Sequence, residues 1–388
     1  MPHPAPPVQP AADRTIFVRQ QFSQFGGAEL ILDRLLAALA ARGKRVALIG
    51  RSWRGSRDVE FIRCDPPKVT RAFRETLFAR AACDLIAREK GALVQAHERV
   101  PCCDIFRAGD GVHAAYLEQK QRTQTAFGRL KDRLSLFHRN TLALERKLFA
   151  SPRLQAAIVN SEMVAGDIVR HFGFSRERIH LVPNGIDLTR FRLQARDEHR
   201  AAVRARLGVP AAKPVALFVG SGFERKGLRA AIHAAAAQGD AELWAIGHDR
   251  RPAHFVAEAK RAGLGSRFRL IGPTDPLPYY AAADVLILPS FYDPFPSTVI
   301  EALACGLPVV TTTGCGARHV VRRLDARLVR DVLDREGLAE ALRTAFELAA
   351  KPETAARARA IAEGFGIDRM VEQMLAVHER VRATRARA

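Results

Sequence analysis

Residues 284–308 read Asp284-Val-Leu-Ile-Leu-Pro-Ser290-Phe-Tyr-Asp293-Pro-Phe-Pro-Ser297-Thr298-Val-Ile-Glu301-Ala-Leu-Ala-Cys305-Gly306-Leu-Pro308. The unbroken apolar run before Pro289 has no polar alternation, as in a strand covered on both faces, so a strand is expected over Asp284–Pro289. A helix is expected to begin near Pro296, because proline suits a helix start and its missing N–H is not needed there. Ser297 and Thr298 then fall in the first turn, where backbone N–H groups have no intrahelical partner and can meet an anion. Asp293 lies in the loop, and Glu301 follows eight residues later on the helix. Carboxylates accept hydrogen bonds from vicinal hydroxyls. The pair suits two sugar rings, a ribose and a hexose. The alternative makes Asp293 a cap and Glu301 a buried partner of a neighbouring group.

Outward from this segment, short β-branched runs alternate with longer helical stretches, the pattern of βαβ units around parallel sheets. In the first half, strands are expected at Thr15–Arg19, Arg45–Gly50, Ala92–Ala96, Ala157–Asn160 and Ile179–Val182. In the second they are expected at Pro214–Gly220, Glu242–Gly247, Phe268–Gly272, Asp284–Pro289 and Pro308–Thr312. The charged stretch Arg190–Ala205 reads as the connection between the two series. Helical segments are expected at Glu353–Glu363 and Asp368–Arg382. This gives an α/β protein of two doubly wound domains, residues 1–190 and 191–367, facing across a cleft. Residues 368–388 are expected to pack back on the first domain. The proline-rich residues 1–13 are expected to be disordered. Ligands of such sheets bind outside the carboxyl ends of the strands.

The chain has 388 residues, with 61 Lys and Arg against 41 Asp and Glu, a net charge of +20. The excess leans toward the first domain, since residues 1–200 hold 34 basic and 21 acidic side chains. Such a surplus points to an anionic partner: a phosphate ligand, nucleic acid or an acidic membrane surface. No nucleic-acid-binding motif accompanies the charge, and the chain has only two Trp and four Tyr, so nucleic acid is not expected as a partner. Cys64, Cys83, Cys102, Cys103, Cys305 and Cys315 show no CxxC spacing. Neither a metal site nor a secretory route is suggested, and a reducing compartment is the simpler reading. No run of about 18 apolar residues occurs, so no spanning helix is expected. The expected location is the cytoplasm or its membrane surface.

From Lys120 to Arg153, Phe127, Leu130, Leu134, Phe137, Thr141, Leu144 and Leu148 recur at steps of three and four. They form one apolar helical stripe with a basic opposite face. That stripe either faces the core or also touches anionic lipid.

Two further loops follow strands. Gly26-Gly27, before a helix, is either a tight turn or a close backbone approach to a ligand. It lacks the spacing of a dinucleotide fingerprint, and no P-loop is present. Gly220-Ser-Gly-Phe-Glu-Arg225-Lys226-Gly227-Leu228 places two adjacent cations beside a helix start. That suits a diphosphate, although an Arg-Lys pair is also a common solvated surface feature.

The Asp293-to-Glu301 segment with its Ala-Leu-Ala-Cys-Gly-Leu-Pro continuation resembles the E-x7-E segment of family 4 retaining glycosyltransferases of GT-B fold. The Gly26-Gly27 turn, the Arg225-Lys226-Gly227 loop and the stretch Ile158–Ser161 with Val182–Asp187 resemble that family in the same order. The likeness spans residues 15–375. Among subgroups the chain most resembles the lipopolysaccharide core α-glucosyltransferases, through Phe223–Leu228 and Asp104–Asp110.

The resemblance implies a nucleotide-sugar donor, UDP-glucose by subgroup, and a saccharide or lipid-linked acceptor, with no cofactor and no metal. It implies that Glu301 binds the ribose and Asp293 the transferred sugar. Arg225 and Lys226 would hold the diphosphate, with Ser297, Thr298, Gly26 and Gly27 close to it. His97, in Ala96-His97-Glu98, matches the family's His-Glu segment and would lie near the reacting carbon. Asp104 and Asp110 would bind acceptor hydroxyls. Two departures stand out: Asp293 replaces the family's usual Glu, and Pro296 replaces a common glycine. An epimerase on the same fold and a binding-only homologue are the alternative readings.

Overall fold

Aliphatic runs without polar alternation cannot leave either face in water, so helices must cover both sides of the sheets they form. The computed structural model describes residues 14–20, 27–53, 59–67 and 69–387, and only the backbone of residues 27–31. Residues 1–13 and Gly26, for which disorder and a ligand contact were expected, lie outside the described residues.

The chain forms two units, residues 1–182 with 370–388, and residues 183–369. The division falls at Val182 and Pro183 rather than at residue 190.

The first unit holds β1 (Arg14–Val18), β2 (Arg45–Gly50), β3 (Glu60–Arg63), β4 (Leu93–Ala96), β5 (Ile105–Arg107), β6 (Ala156–Val159) and β7 (Ile179–Leu181). They run in the order β3-β2-β1-β4-β5-β6-β7, and every pairing is parallel.

The second unit holds β8 (Val215–Val219), β9 (Glu242–Ile246), β10 (Phe268–Gly272), β11 (Val285–Leu288), β12 (Val309–Thr312) and β13 (Val329–Arg330). Their order is β10-β9-β8-β11-β12-β13, again wholly parallel. In each sheet the strand order reverses once, between β1 and β4 and between β8 and β11. Crossovers leave these neighbours in opposite directions and open a crevice at their carboxyl ends.

Three strands escape the sequence reading: β3, β5 and β13, of four, three and two residues. β3 is an edge strand with exposed ends, and all three are too short to show a hydrophobic period.

The stretch expected to connect the domains instead belongs to the second unit. Its helix Ala195–Arg206 packs against the helix Leu277–Ala282. Arg196, Arg200 and Arg204 fall at helical spacing on one side of the helix Ala195–Arg206; Arg204 is buried, Arg200 half-buried and Arg196 exposed. Arg200 and Arg204 each reach Asp284 at 2.8 Å, and Arg196 lies 3.7 Å from it. The backbone N–H of Val215 also donates to Asp284, at 2.9 Å. Polarity there marks an ion cluster around the half-buried Asp284, which composition alone reads as a linker.

The long stripe from Phe127 to Leu148 also divides. Ser135 caps a second helix, so the segment becomes helices Ala126–Leu134 and Leu136–Phe149. Thr141, Leu144 and Leu148 are buried on the second helix. On the first, Phe127, Leu130 and Leu134 are 78%, 53% and 67% exposed.

The last helix, Ile367–Arg387, is tied from Met370 onward to the first unit. Arg382 donates to the Arg14 carbonyl and to Thr15 Oγ1, and Arg385 to the Ala92 carbonyl at 2.9 Å.

Cys83, on the helix Arg74–Ile86, is disulfide-bonded to Cys102, with Cα atoms 5.7 Å apart. This corrects the reduced-thiol reading for that pair. The other four cysteines are buried and free.

Removing the Asp284 carboxylate strands the buried Arg204 guanidinium. We expect Asp284→Ala to cost the second unit about 3 kcal/mol in urea unfolding. A change below about 0.5 kcal/mol would show the arginines to be solvated.

Candidate active site

The chain leaving β8 turns at Gly222, which has φ +75°, into a single helical turn, Phe223–Lys226. Phe223 anchors that turn. Its side chain is buried edge-on to Phe218 and Phe255, and its N–H donates to Asp249 Oδ2 at 2.8 Å.

Gly227 follows at φ +82°, and a Cβ there would lie 2.0 Å from the Pro289 carbonyl oxygen. Only glycine permits that approach, and it draws the loop after β8 against the loop after β11. The Phe291 N–H donates to the Arg225 carbonyl at 3.0 Å, joining the two loops by their backbones.

The side chains meet at the same place. The Lys226 ammonium bonds Asp293 Oδ2, and Arg225 Nη1 stands 3.9 Å from that oxygen while donating to the Tyr292 carbonyl at 3.2 Å. Asp293 is buried and held through its backbone by Gly314 and Gly316, at 3.0 and 2.8 Å. Two cations thus face one carboxylate where the loops meet.

Pro296 precedes the helix Ser297–Ala304, which has no side-chain cap. The first-turn N–H groups of Ser297 and Thr298 therefore remain available for an anion. Thr298 Oγ1 is buried without a hydrogen-bond partner.

One turn along this helix, Glu301 Oε2 accepts from the Tyr280 hydroxyl at 2.9 Å. Burial pushes the Glu301 carboxyl up to about 7, against the hydrogen bond from Tyr280 and the charge of Arg190. Asp275 adds to the rise, and Lys226 opposes it. Arg225, Lys226, Asp293, Ser297, Thr298 and Glu301 thus gather around one strand-order reversal. Tyr280, Arg190 and Asp249, which shape this group, have no signal in the sequence apart from their strand-end loops and the Tyr279-Tyr280 pair.

At the reversal of the first sheet, Gly27 opens the helix Gly27–Ala41, and His97 follows β4. The His97 N–H donates to the Val18 carbonyl at 2.9 Å, and Glu98 Oε1 accepts from the Gln20 N–H at 3.0 Å. Burial lowers the His97 imidazole well below its ordinary value, helped by Arg107 and Arg19, so the ring is neutral. Burial likewise raises Glu98. Arg107 ends β5 and is lowered to about 10 by burial and by Arg19. The exposed Asp110 lies in the following turn and acts electrostatically on both Arg107 and Glu98.

Asp104 sits at the opposite edge of this sheet. It precedes β5, is 3% exposed, accepts from the Val94 N–H at 2.7 Å and pairs with Arg153 and Arg385. Both its oxygens are engaged within the fold. This placement corrects its expected role at an acceptor: Asp104 ties β4 to β5.

Two doubly wound parallel sheets, one carrying cations, helix-start N–H groups and carboxylates at its reversal point, define a GT-B glycosyltransferase. The family profile Glycosyltransferase Family 4 matches residues 25–190, and Glycosyl transferases group 1 matches residues 199–364. The chain is 30% identical to the lipopolysaccharide core biosynthesis glycosyltransferase LpsE of Rhizobium meliloti, over 83% of this chain and 86% of that one. It is 26% identical to the lipopolysaccharide glucosyltransferase WaaG of Escherichia coli, over 85% and 88% of the two chains. A crystal structure of WaaG matches with a TM-score of 0.79 at 25% identity, covering 93% of this chain and 98% of that one. Anabaena HepE, solved with UDP-glucose, shares the fold at a TM-score of 0.70 and 18% identity, over 95% and 99% of the chains. The chain belongs to the family 4 glycosyltransferases of GT-B fold.

A 13C NMR titration of the Glu301 carboxyl is expected to give a midpoint near 7. Tyr280→Phe deletes a hydrogen bond that favours the carboxylate and moves the midpoint higher. A parent midpoint below about 5 would show that Glu301 is solvated.

Proposed function

We propose that the protein is a retaining, metal-independent hexosyltransferase. It moves glucose from UDP-glucose to a saccharide or lipid-linked acceptor of the lipopolysaccharide core. The observation that carries this reading is the gathering of Arg225, Lys226, Asp293 and Glu301 at one carboxyl edge of the second sheet. The likeness to LpsE and WaaG over most of the chain supports the acceptor class, and the name of WaaG supports glucose.

In this reading Glu301 accepts from the ribose hydroxyls and Asp293 from hydroxyls of the hexose. Arg225, Lys226 and the Ser297 and Thr298 N–H groups bind the diphosphate. His97 serves the reacting sugar and Asp110 an acceptor hydroxyl. The acceptor oxygen attacks the anomeric carbon on the face that the diphosphate leaves. The new C–O bond forms as the C–O bond to phosphate breaks, and a diphosphate oxygen takes the acceptor's proton. The sugar keeps its anomeric configuration. Negative charge grows on the diphosphate, and preorganised cations and N–H groups stabilise it. They supply the charge that a divalent metal provides elsewhere, so no metal is required. Asp293 is shorter by one methylene than the family's Glu and sets the reach to the sugar.

Losing one preorganised donor typically raises a barrier by about 2.7–4 kcal/mol. Lys226→Ala and Glu301→Ala are each expected to cut transfer at least about tenfold without unfolding the protein. Parent-like kinetics in both would refute the assignment. A thermal-shift screen against UDP-, GDP- and ADP-sugars identifies the donor, because a ligand of the native state raises the melting point. UDP-glucose is expected to give the largest rise.

The same reading places the protein in the cytoplasm, peripheral on the inner membrane. The helix Ala126–Leu134 turns Phe127, Leu130 and Leu134 to solvent and also carries Arg129, Lys131 and Arg133. Apolar side chains flanked by cations suit an anionic lipid surface. Liposome binding is expected to rise with anionic lipid and fall with salt, and Phe127→Ser with Leu130→Ser is expected to weaken it. Equal binding to neutral and anionic vesicles would dispose of this docking.

A further inference from the structure

Three buried side chains, His97, Gln95 and His378, are linked near the carboxyl end of β4. Gln95 lies on β4 and is fully buried. Its Oε1 lies 2.6 Å from His378 Nε2, and its Nε2 lies 2.9 Å from His97 Nε2. Gln95 and His378 are 283 residues apart in the chain, and His378 comes from the last helix. Phe17 packs against both imidazoles, with ring centroids 6.2 and 5.9 Å away, which limits their rotation.

We propose that Gln95 and His378 are positioning residues that hold His97 as the Nδ1–H tautomer, so that His97 offers substrate a hydrogen-bond donor and cannot act as a base through that nitrogen. An amide has one accepting oxygen and one donating nitrogen, so its orientation decides both neighbours. The amide is placed with its oxygen toward His378 and its nitrogen toward His97. With Oε1 toward His378, a neutral His378 must carry its proton on Nε2. The Gln95 amide then donates to His97 Nε2, which must be bare, and the single proton of the neutral His97 ring lies on Nδ1.

The unused nitrogen of His378 agrees. His378 Nδ1 is buried without a hydrogen-bond partner, and a bare nitrogen is tolerated there better than an orphaned N–H. Both rings are kept neutral by burial, which lowers His378 to about 3 with help from Arg382. The assignment of His97 to the reacting sugar rests on the function proposed above. Given that role, its Nδ1–H stabilises a sugar or phosphate oxygen, and the acceptor's proton goes elsewhere.

The test is a long-range 1H–15N correlation spectrum of the full chain labelled at histidine, with transfer kinetics on the same samples. The parent is expected to show His97 protonated on Nδ1 and His378 on Nε2. Gln95→Glu presents only acceptors, so it moves the His97 proton to Nε2 or adds a second, and kcat falls at least about tenfold. His378→Leu frees the amide to turn over and lowers kcat similarly. His378→Gln, whose amide again donates to Gln95, restores the Nδ1–H signature and most of kcat. A purely structural His378 would predict the reverse ranking, because leucine suits a buried helix face better than glutamine. Parent His97 protonated on Nε2, or a signature unmoved by both Gln95→Glu and His378→Leu, would overturn the proposal. If instead His97→Ala transfers sugar at the parent rate while the spectra stand as expected, the role of His97 fails and the tautomer assignment survives.

Discussion

The contact of Gly227 with the Pro289 carbonyl sets the geometry on which the second unit's site depends. No side chain fits between them, so the loops after β8 and β11 meet backbone to backbone. That closeness gives Lys226 its bond to Asp293 and puts its charge within electrostatic range of Glu301. A parallel sheet whose order reverses between these two strands leaves room for such loops only at its carboxyl edge.

The two units meet the same problem, polar groups at a buried edge, in two ways. The second keeps its charges and pairs them, two cations with Asp293, while Glu301 rests on the Tyr280 hydroxyl. The first keeps its histidines uncharged beside the cations Arg19 and Arg107, and Gln95 passes a hydrogen-bond direction between the two rings without moving charge. A charged set binds an anion by attraction, whereas a neutral one specifies which atom donates and which accepts.

Much of this was legible in the chain. The apolar runs of β8, β9, β11 and β12 read as strands because covering both faces removes polar alternation, and the loops carrying Arg225, Lys226 and Asp293 could be placed at strand ends. Legibility failed where polarity and burial part company. Arg200 and Arg204 looked like linker residues and turn inward to Asp284. Phe127 and Leu130 looked like core on one reading and face solvent. Asp104 looked available and is consumed by Val94, Arg153 and Arg385.

By itself the sequence determined the fold class, the position of most strands along the chain and the family, because periodicity and motif spacing are local properties of a chain. It could not determine partnerships between distant residues. Tyr280 with Glu301, Cys83 with Cys102, and His378 with Gln95 exist only once strands and helices are packed. A hydrogen bond or disulfide requires atoms within a few ångströms, and only the tertiary structure brings these pairs that close.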